Sequence, residues 1–229
     1  FMIGTIVNVA AIIVGSLAGF LVKGRLPERF QNIVMQGISL AVLIIGLQMA
    51  FSVESTKGTL VVIFSLVIGG IIGEILRVES RLEGFGELIQ KRFGSDDGLF
   101  VQGFVQSSLI YCVGAMAIMG AIQDGLNNDP SILFTKSLLD GTASVAFSAT
   151  FGIGVLFSSI PVLLYQGSIT LLASWAQKIL NQDVVAMMTA TGGLLIMAIG
   201  LNMLLSAKIK IGNLLPSIFV AIAIALIVF

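Results

Sequence analysis

Histidine is absent from this 229-residue chain, cysteine occurs once, and charged residues make up only 10% of it. Without histidine the chain lacks the commonest metal ligand and the commonest side chain that exchanges protons near neutral pH. Cys112 stands alone, so no intrachain disulfide can form, and its place in an apolar run marks it as a small core residue. The formal net charge is zero, so no basic face is available for nucleic acid. No glycine-rich phosphate loop or ATPase motif occurs, which argues against a primary pump. Residues 2–22 have neither a basic leader nor a small-residue cleavage site, so the first apolar run is expected to be a span rather than a cleaved signal. No cofactor is implied, and the chain is not expected to be an enzyme.

Soluble domains carry about 25% charged residues. Here 57% of residues are hydrophobic and the mean hydropathy is +1.07. The apolar residues form long continuous runs, over 2–22, 33–51, 59–76, 99–122, 131–159, 161–179, 184–205 and 213–229. Long runs satisfy the backbone inside lipid as helices, whereas barrel strands are short and alternate. The fold expected is all-α: a polytopic membrane bundle of about eight spans in one transmembrane domain, residues 1–229. Within the third run, Gly69, Gly70 and Gly73 suit a close helix contact. Residues 77–93 differ, because Val78, Leu82, Phe85, Ile89 and Phe93 recur at steps of three and four among charged residues. That pattern predicts an amphipathic helix on the membrane surface, weakened by Gly84 and Gly86. The loop 23–32 breaks around Pro27, and 95–98 reads as a turn.

Positive residues favour the cytoplasmic side. With eight spans and the N-terminus outside, the inner loops hold Lys23, Arg25, Arg29, Arg77, Arg81, Lys91, Arg92, Lys208 and Lys210, against Lys57 and Lys178 outside. A shift of 154 positions lays Ile45, Gly46, Leu47, Gln48 and Met49 on Ile199, Gly200, Leu201, Asn202 and Met203. The second and third spans thereby repeat in the seventh and eighth, with opposite direction. The expected division is 1–76 as a first repeat, 77–98 as interfacial helix and turn, 99–160 as central spans and 161–229 as a second repeat. Inverted repeats are a common plan of secondary transporters, and aquaporin-like channels share it.

The run 131–159 carries Lys136 and Asp140. For a helix starting at Ser131, Asp140 lies roughly 14 Å along the axis, near the middle of a hydrocarbon core about 30 Å thick. A carboxylate at that depth is costly and points to a functional site or a satisfied internal pair. Lys136 lies one turn earlier on the same face and is the natural partner. Ser137, Gly141, Ser144, Ser148 and Gly152 share that side, either as a tight helix contact or as a hydroxyl-lined path. Asp124, before Gly125, ends the fourth run as a turn or a second site carboxylate. Asn8, Gln48, Asn202, Gln106 and Gln166 are amides within apolar runs, fit to bridge helices or touch a solute. Tyr165, Gln166 and Gly167 add a donor-acceptor pair beside a flexible backbone point. Glu74 sits near the end of the third run, within reach of water or Arg77.

Several short stretches carry a resemblance. They include Gly4-Thr5-Ile6-Val7-Asn8, Leu26-Pro27-Glu28-Arg29, Gly114-Ala115-Met116-Ala117-Ile118, Gln123-Asp124-Gly125, Asp129-Pro130-Ser131, Asp140-Gly141 and Tyr165-Gln166-Gly167-Ser168. On these the chain resembles the YqgA/YdfK-like bacterial inner-membrane proteins, a family of undefined activity. The resemblance implies a multi-pass protein of the bacterial plasma membrane and assigns no binding residue. The residues themselves point first to a secondary transporter of a small solute or ion, coupled to H⁺ or Na⁺, with Asp140 as the coupling or substrate-binding carboxylate. A channel and a non-transporting assembly protein are the alternatives. An intramembrane aspartyl protease is disfavoured, since Asp124 and Asp140 lie at different depths and no Gly-x-Gly-Asp motif occurs. The expected partners are the lipid bilayer, a small solute or ion and, through small-residue faces, a second copy of the chain.

Overall fold

The computed structural model describes residues 2–23, 28–93, 99–205 and 207–228, and every regular element among them is a helix. In chain order these are α1 (Ile3–Val22), α2 (Glu28–Ala50), α3 (Thr56–Leu76), α4 (Val78–Phe93), α5 (Phe100–Cys112), α6 (Ala115–Asn127), α7 (Ser131–Phe151), α8 (Gly154–Phe157), α9 (Ser159–Leu171), α10 (Ala173–Ile179), α11 (Gln182–Leu205), α12 (Ile211–Leu214) and α13 (Pro216–Val228). The break at Pro27, the basic residue Arg25 and the turn 95–98 lie outside the described residues, as do the side chains of Phe85, Ile89 and Phe93 on the predicted stripe of α4.

The expected all-helical membrane fold is what the chain adopts. Six described stretches are long and apolar enough to cross a membrane: α1, Asn32–Ala50, α3, Gly154–Leu171, α11 and Ile211–Val228. The pair α5 and α6 makes a seventh if its two bent halves count as one span. The remaining expected span, the fifth, corresponds to α7, which has the length, with 21 residues, but whose apolar character is diluted by Lys136, Asp140 and its hydroxyls.

Local chemistry sets the ends of these helices. Ser55 caps α3 by accepting from the Gly58 amide at 3.1 Å, and the Asn181 side chain accepts from the Val184 amide at 2.9 Å at the start of α11. Asn128 adopts the left-handed conformation after α6. Asp129 then accepts from the Ser131 hydroxyl and, at 3.1 Å, from the Ser131 amide at the start of α7. These bonds, with one from Gln123, hold the Asp129 carboxyl below the usual carboxylate range.

Two breaks depend on glycine. The fourth run, expected as one span, bends by 60° between α5 and α6, where Gly114 has a φ of 145°. The fifth run stops at Gly152, with a φ of 87°, so α7 is followed by the short α8. Both backbone conformations strain a residue that has a Cβ.

Contacts divide the chain into two compact units, Phe1–Met35 with Phe85–Gln177, and Gln36–Gly84 with Lys178–Phe229. In the first unit, α1 lies along α7. Apart from Ile12, the buried residues of α1 are small or polar, namely Gly4, Thr5, Asn8, Gly15, Ser16 and Gly19, while Ile3, Ile6, Val14, Leu17 and Leu21 are exposed. Large apolar side chains outside and small ones at the helix contact form the arrangement expected of lipid-facing helices. A Cβ on Gly15 would lie 2.2 Å from the Gly141 carbonyl oxygen, and one on Gly19 at 2.2 Å from that of Val145. Further along, Phe100 and Phe157 pack with ring centroids 5.4 Å apart, joining α5 to α8.

In the second unit, α3 meets α12 and α13 through the glycines expected to allow close approach. A Cβ on Gly69 would lie 2.2 Å from Ser217 Cα, and one on Gly73 at 1.8 Å from the Asn213 carbonyl oxygen. Helices α2 and α11 touch backbone to backbone at Gly46 and Gly193, where the Gly46 Cβ position is 2.7 Å from the Gly193 carbonyl oxygen.

Glycine substitutions should separate these contacts from open positions. Gly15→Ala is expected to destabilise the protein by about 1–3 kcal/mol through overpacking. Gly84 has no atom of the described residues within 4 Å of its Cβ position, so Gly84→Ala is expected to stabilise α4 by about 0.5–1 kcal/mol. Thermal unfolding in detergent checks both, and equal effects of the two substitutions would contradict the assigned α1–α7 contact.

Candidate functional site

The polar residues of the first unit converge where α1 meets both α7 and α9. The spacing of Lys136 and Asp140 puts both on one face of α7, and the Lys136 ammonium donates to Asp140 Oδ2 at 2.6 Å. The two side chains are only 8% and 9% exposed, so the pair is held largely out of water. From α1, Asn8 Nδ2 donates to the same Asp140 oxygen at 3.0 Å and to Gln166 Oε1 of α9 at 3.2 Å. A carboxylate only accepts, which fixes the Asn8 amide with its nitrogen toward Asp140. Asn8 and Gln166 are fully buried.

Part of this network is unfilled. Asn8 Oδ1 and Gln166 Nε2 are buried without a hydrogen-bond partner among the described residues. Both bonds to Asp140 fall on Oδ2, and none to Oδ1 is found among those residues. Native interiors seldom leave such groups unpaired, and here the unpaired acceptor belongs to an amide bonded to the ion pair and the unpaired donor to the amide bonded to that one.

The other expected site residues separate from this cluster to different degrees. Ser144, one turn beyond Asp140, shares a hydrogen bond of 2.8 Å with the Tyr111 hydroxyl near the end of α5. Its neighbours on the stripe bond within their own segment: Ser137 donates to the Leu133 carbonyl and Ser148 to that of Gly152. Together with the close approach of Gly15 to Gly141, this makes the stripe a helix contact rather than a lined path. Asp124 is buried and accepts from the Gly4 amide at 3.1 Å. It caps the first turn of α1 from α6, where the free amides and the helix dipole favour a carboxylate, and Asp140 is engaged one turn further on. Tyr165 is half-buried on α9. Gln106 is buried with its Oε1 unpaired among the described residues.

Gln48 and Asn202 belong to the second unit. Gln48 is exposed. Asn202 closes the loop after α11, donating to the Ile209 carbonyl at 2.8 Å and accepting from the Ile209 amide at 2.9 Å. The two amides matched along the sequence thus have different surroundings within the second unit.

The second unit has a polar cavity of its own, 430 Å³, at the corner between α3 and α4. Glu74 accepts from Lys210 at 2.8 Å and from the Asn213 amide at 2.6 Å, and Arg77 is not among these partners. Glu79 accepts from the Gly212 amide at 2.6 Å while its own amide donates to Asn213 Oδ1 at 2.8 Å. Burial, with Glu83 nearby, pushes the Glu79 carboxyl up, and the bond to Glu74 pushes the Lys210 ammonium up. Lys210 and Glu74 are exposed, so their pairing contributes little stability. No cluster of three or more metal-ligating residues occurs among the described residues.

Sequence reasoning missed Tyr111 and the pair Gly15 and Gly19. The four-residue spacing of the two glycines in the first run was the available signal. Nothing in the chain marked Tyr111 as the partner of Ser144, because that contact joins separate helices.

Taken together, the fold is that of a helical protein with several membrane-spanning segments and a buried charge pair inside one of its units. The chain belongs to the family described as protein of unknown function (DUF554), whose model matches residues 3–226. It is 33% identical over 220 residues to the uncharacterized membrane protein YdfK of Bacillus subtilis (strain 168), covering 96% of this chain and 93% of that one. It is 28% identical over 229 residues to the uncharacterized protein YqgA of Escherichia coli (strain K12), covering 98% and 96%. No solved structure matches the chain.

The network makes Asn8 the hinge of the cluster's hydrogen bonding. Asn8→Ala removes one donor from Asp140 and leaves both polar ends of the Gln166 amide without a side-chain partner. It is expected to destabilise the protein by about 1–3 kcal/mol, read as a lower unfolding temperature in detergent. An unchanged temperature would contradict the bonds assigned to Asn8.

Proposed function

We propose that this protein is a secondary transporter of a small solute or ion, coupled to H⁺ or Na⁺, with Asp140 at its site. The observation that carries this reading is the buried Lys136–Asp140 pair joined to two amides that keep unpaired polar atoms. Ionisable residues within membrane helices mark substrate and ion paths more often than chance packing does. The glycine breaks between α5 and α6 and after α7 give the same unit the interrupted helices on which carriers build their sites.

The inverted repeat is part of the proposal, and one reciprocal contact supports it. The shift of 154 carries Gly46 to Gly200 and Leu43 to Met197. A Cβ on Gly46 would lie 2.6 Å from the Met197 nitrogen, and a Cβ on Gly200 would lie 3.1 Å from the Leu43 nitrogen. A two-fold relation between α2 and α11 requires this exchange of partners. We assign the protein to the bacterial plasma membrane with its N-terminus outside, following the excess of basic residues in the loops predicted to be inner.

Proteoliposomes test the carrier reading. The purified protein is expected to move a solute or ion, from a panel of inorganic ions and small metabolites, saturably along an imposed pH or Na⁺ gradient. Asp140→Asn should abolish the coupling, and Asp124→Asn, at the cap of α1, should retain it. Flux that ignores both gradients and survives Asp140→Asn would make the protein a channel instead, and absence of flux would leave it an assembly protein.

A further inference from the structure

We propose that the cluster around Asp140 takes a zwitterionic solute, one that carries an ammonium and a carboxylate a few bonds apart as an α-amino acid does. This rests on the carrier reading above and narrows it to a substrate class. Two features of the cluster lead there: its charge balance and its inventory of unused hydrogen-bonding atoms.

Lys136 and Asp140 cancel each other's charge in a setting largely removed from water. A lone cation bound at Asp140 would face the Lys136 ammonium, and a lone anion bound at Lys136 would face the carboxylate. Either ligand leaves one buried charge in excess, which a low-dielectric interior disfavours. A ligand with one charge of each sign re-pairs both: its ammonium meets Asp140, its carboxylate meets Lys136, and the site stays neutral.

The unused atoms divide in the same way. On the accepting side are Asp140 Oδ1 and Asn8 Oδ1, neither hydrogen-bonded among the described residues. On the donating side are Gln166 Nε2, unpaired among those residues, and the Lys136 ammonium, which has three protons and one bonded acceptor, Asp140 Oδ2. A ligand ammonium supplies donors for the two acceptors, and a ligand carboxylate supplies acceptors for the two donors. All four side chains belong to one connected network, since Asn8 Nδ2 bonds to both Asp140 and Gln166. The inventory therefore matches two opposite ionic groups on one molecule better than it matches either group alone.

The test uses the full chain purified in detergent. Glycine and L-alanine are titrated in thermal unfolding, beside acetate and methylammonium, each of which carries half of the pattern. At ten times its Kd, glycine or L-alanine is expected to raise the unfolding temperature by about 3–6 °C, and neither half-ligand should do so. The double variant Lys136→Gln with Asp140→Asn, checked for folding by size-exclusion chromatography, should lose the shift. Should it not fold, Gln166→Leu is expected to weaken glycine binding about tenfold, and an unchanged affinity overturns the proposal. No shift from either amino acid overturns it, as does an equal shift from acetate or methylammonium. Asp140-dependent flux of Na⁺, H⁺ or acetate in proteoliposomes, with no response to either amino acid, overturns the zwitterion assignment and leaves the carrier reading intact. Amino-acid binding without flux overturns the carrier reading alone.

Discussion

Removing one ammonium and one carboxylate from water costs several kcal/mol for each ion, and the first unit is arranged around meeting that cost. Lys136 and Asp140 face each other across one turn of α7 at 2.6 Å, and Asn8 brings a further donor from α1. Helix α7 alone supplies both charges of the pair, but the full network also needs the Asn8 amide. The network requires α1 to lie close enough for a short side chain to reach. That requirement explains why the buried side of α1 carries glycine, serine, threonine and asparagine beside Ile12, while Ile3, Ile6, Leu17 and Leu21 face outward. Packing and electrostatics are in this way one constraint: a larger residue at Gly15 would push α1 outward and take Asn8 away from Asp140.

The same constraint accounts for the division of labour among the remaining polar groups. Asp124 is as buried as Asp140, yet it meets the amide of Gly4 at a helix start, where a carboxylate stabilises the free amides. The serines of α7 donate to backbone carbonyls of their own segment or, at Ser144, meet the Tyr111 hydroxyl. Asn8 Oδ1 and Gln166 Nε2, by contrast, are buried without a hydrogen-bond partner among the described residues, and that surplus beside a neutralised charge pair is what supports the proposed site. In the second unit the polar residues instead tie a corner together, through Glu74, Glu79, Lys210 and Asn213, largely where water reaches.

Much of this was legible in the chain. The apolar runs located the helices, the dipeptide before Ser131 fixed the start of α7, and the four-residue step between Lys136 and Asp140 announced their pairing. Gly69 and Gly73 announced a close helix contact because small residues at that spacing have few other uses in lipid. The bend at Gly114 was not foreseen, since a glycine within an apolar run is as compatible with a straight helix as with a break. Nor could the sequence choose among the amides in its apolar runs. Asn8 bonds to both Asp140 and Gln166, whereas Gln48 and Asn202 belong to the other unit, and only the tertiary arrangement of helices distinguishes the two cases. Family membership adds the expectation of a membrane protein and no chemistry.

The most direct test of the central claim is a double-mutant cycle on the charge pair, measured as unfolding free energy in detergent. Lys136→Met and Asp140→Leu should each destabilise the protein by about 3–5 kcal/mol, because each leaves the other charge buried and unpaired. The double variant should lose less than either single one. Losses that simply add would contradict the account, because they would mean that Lys136 and Asp140 are held in place independently of each other.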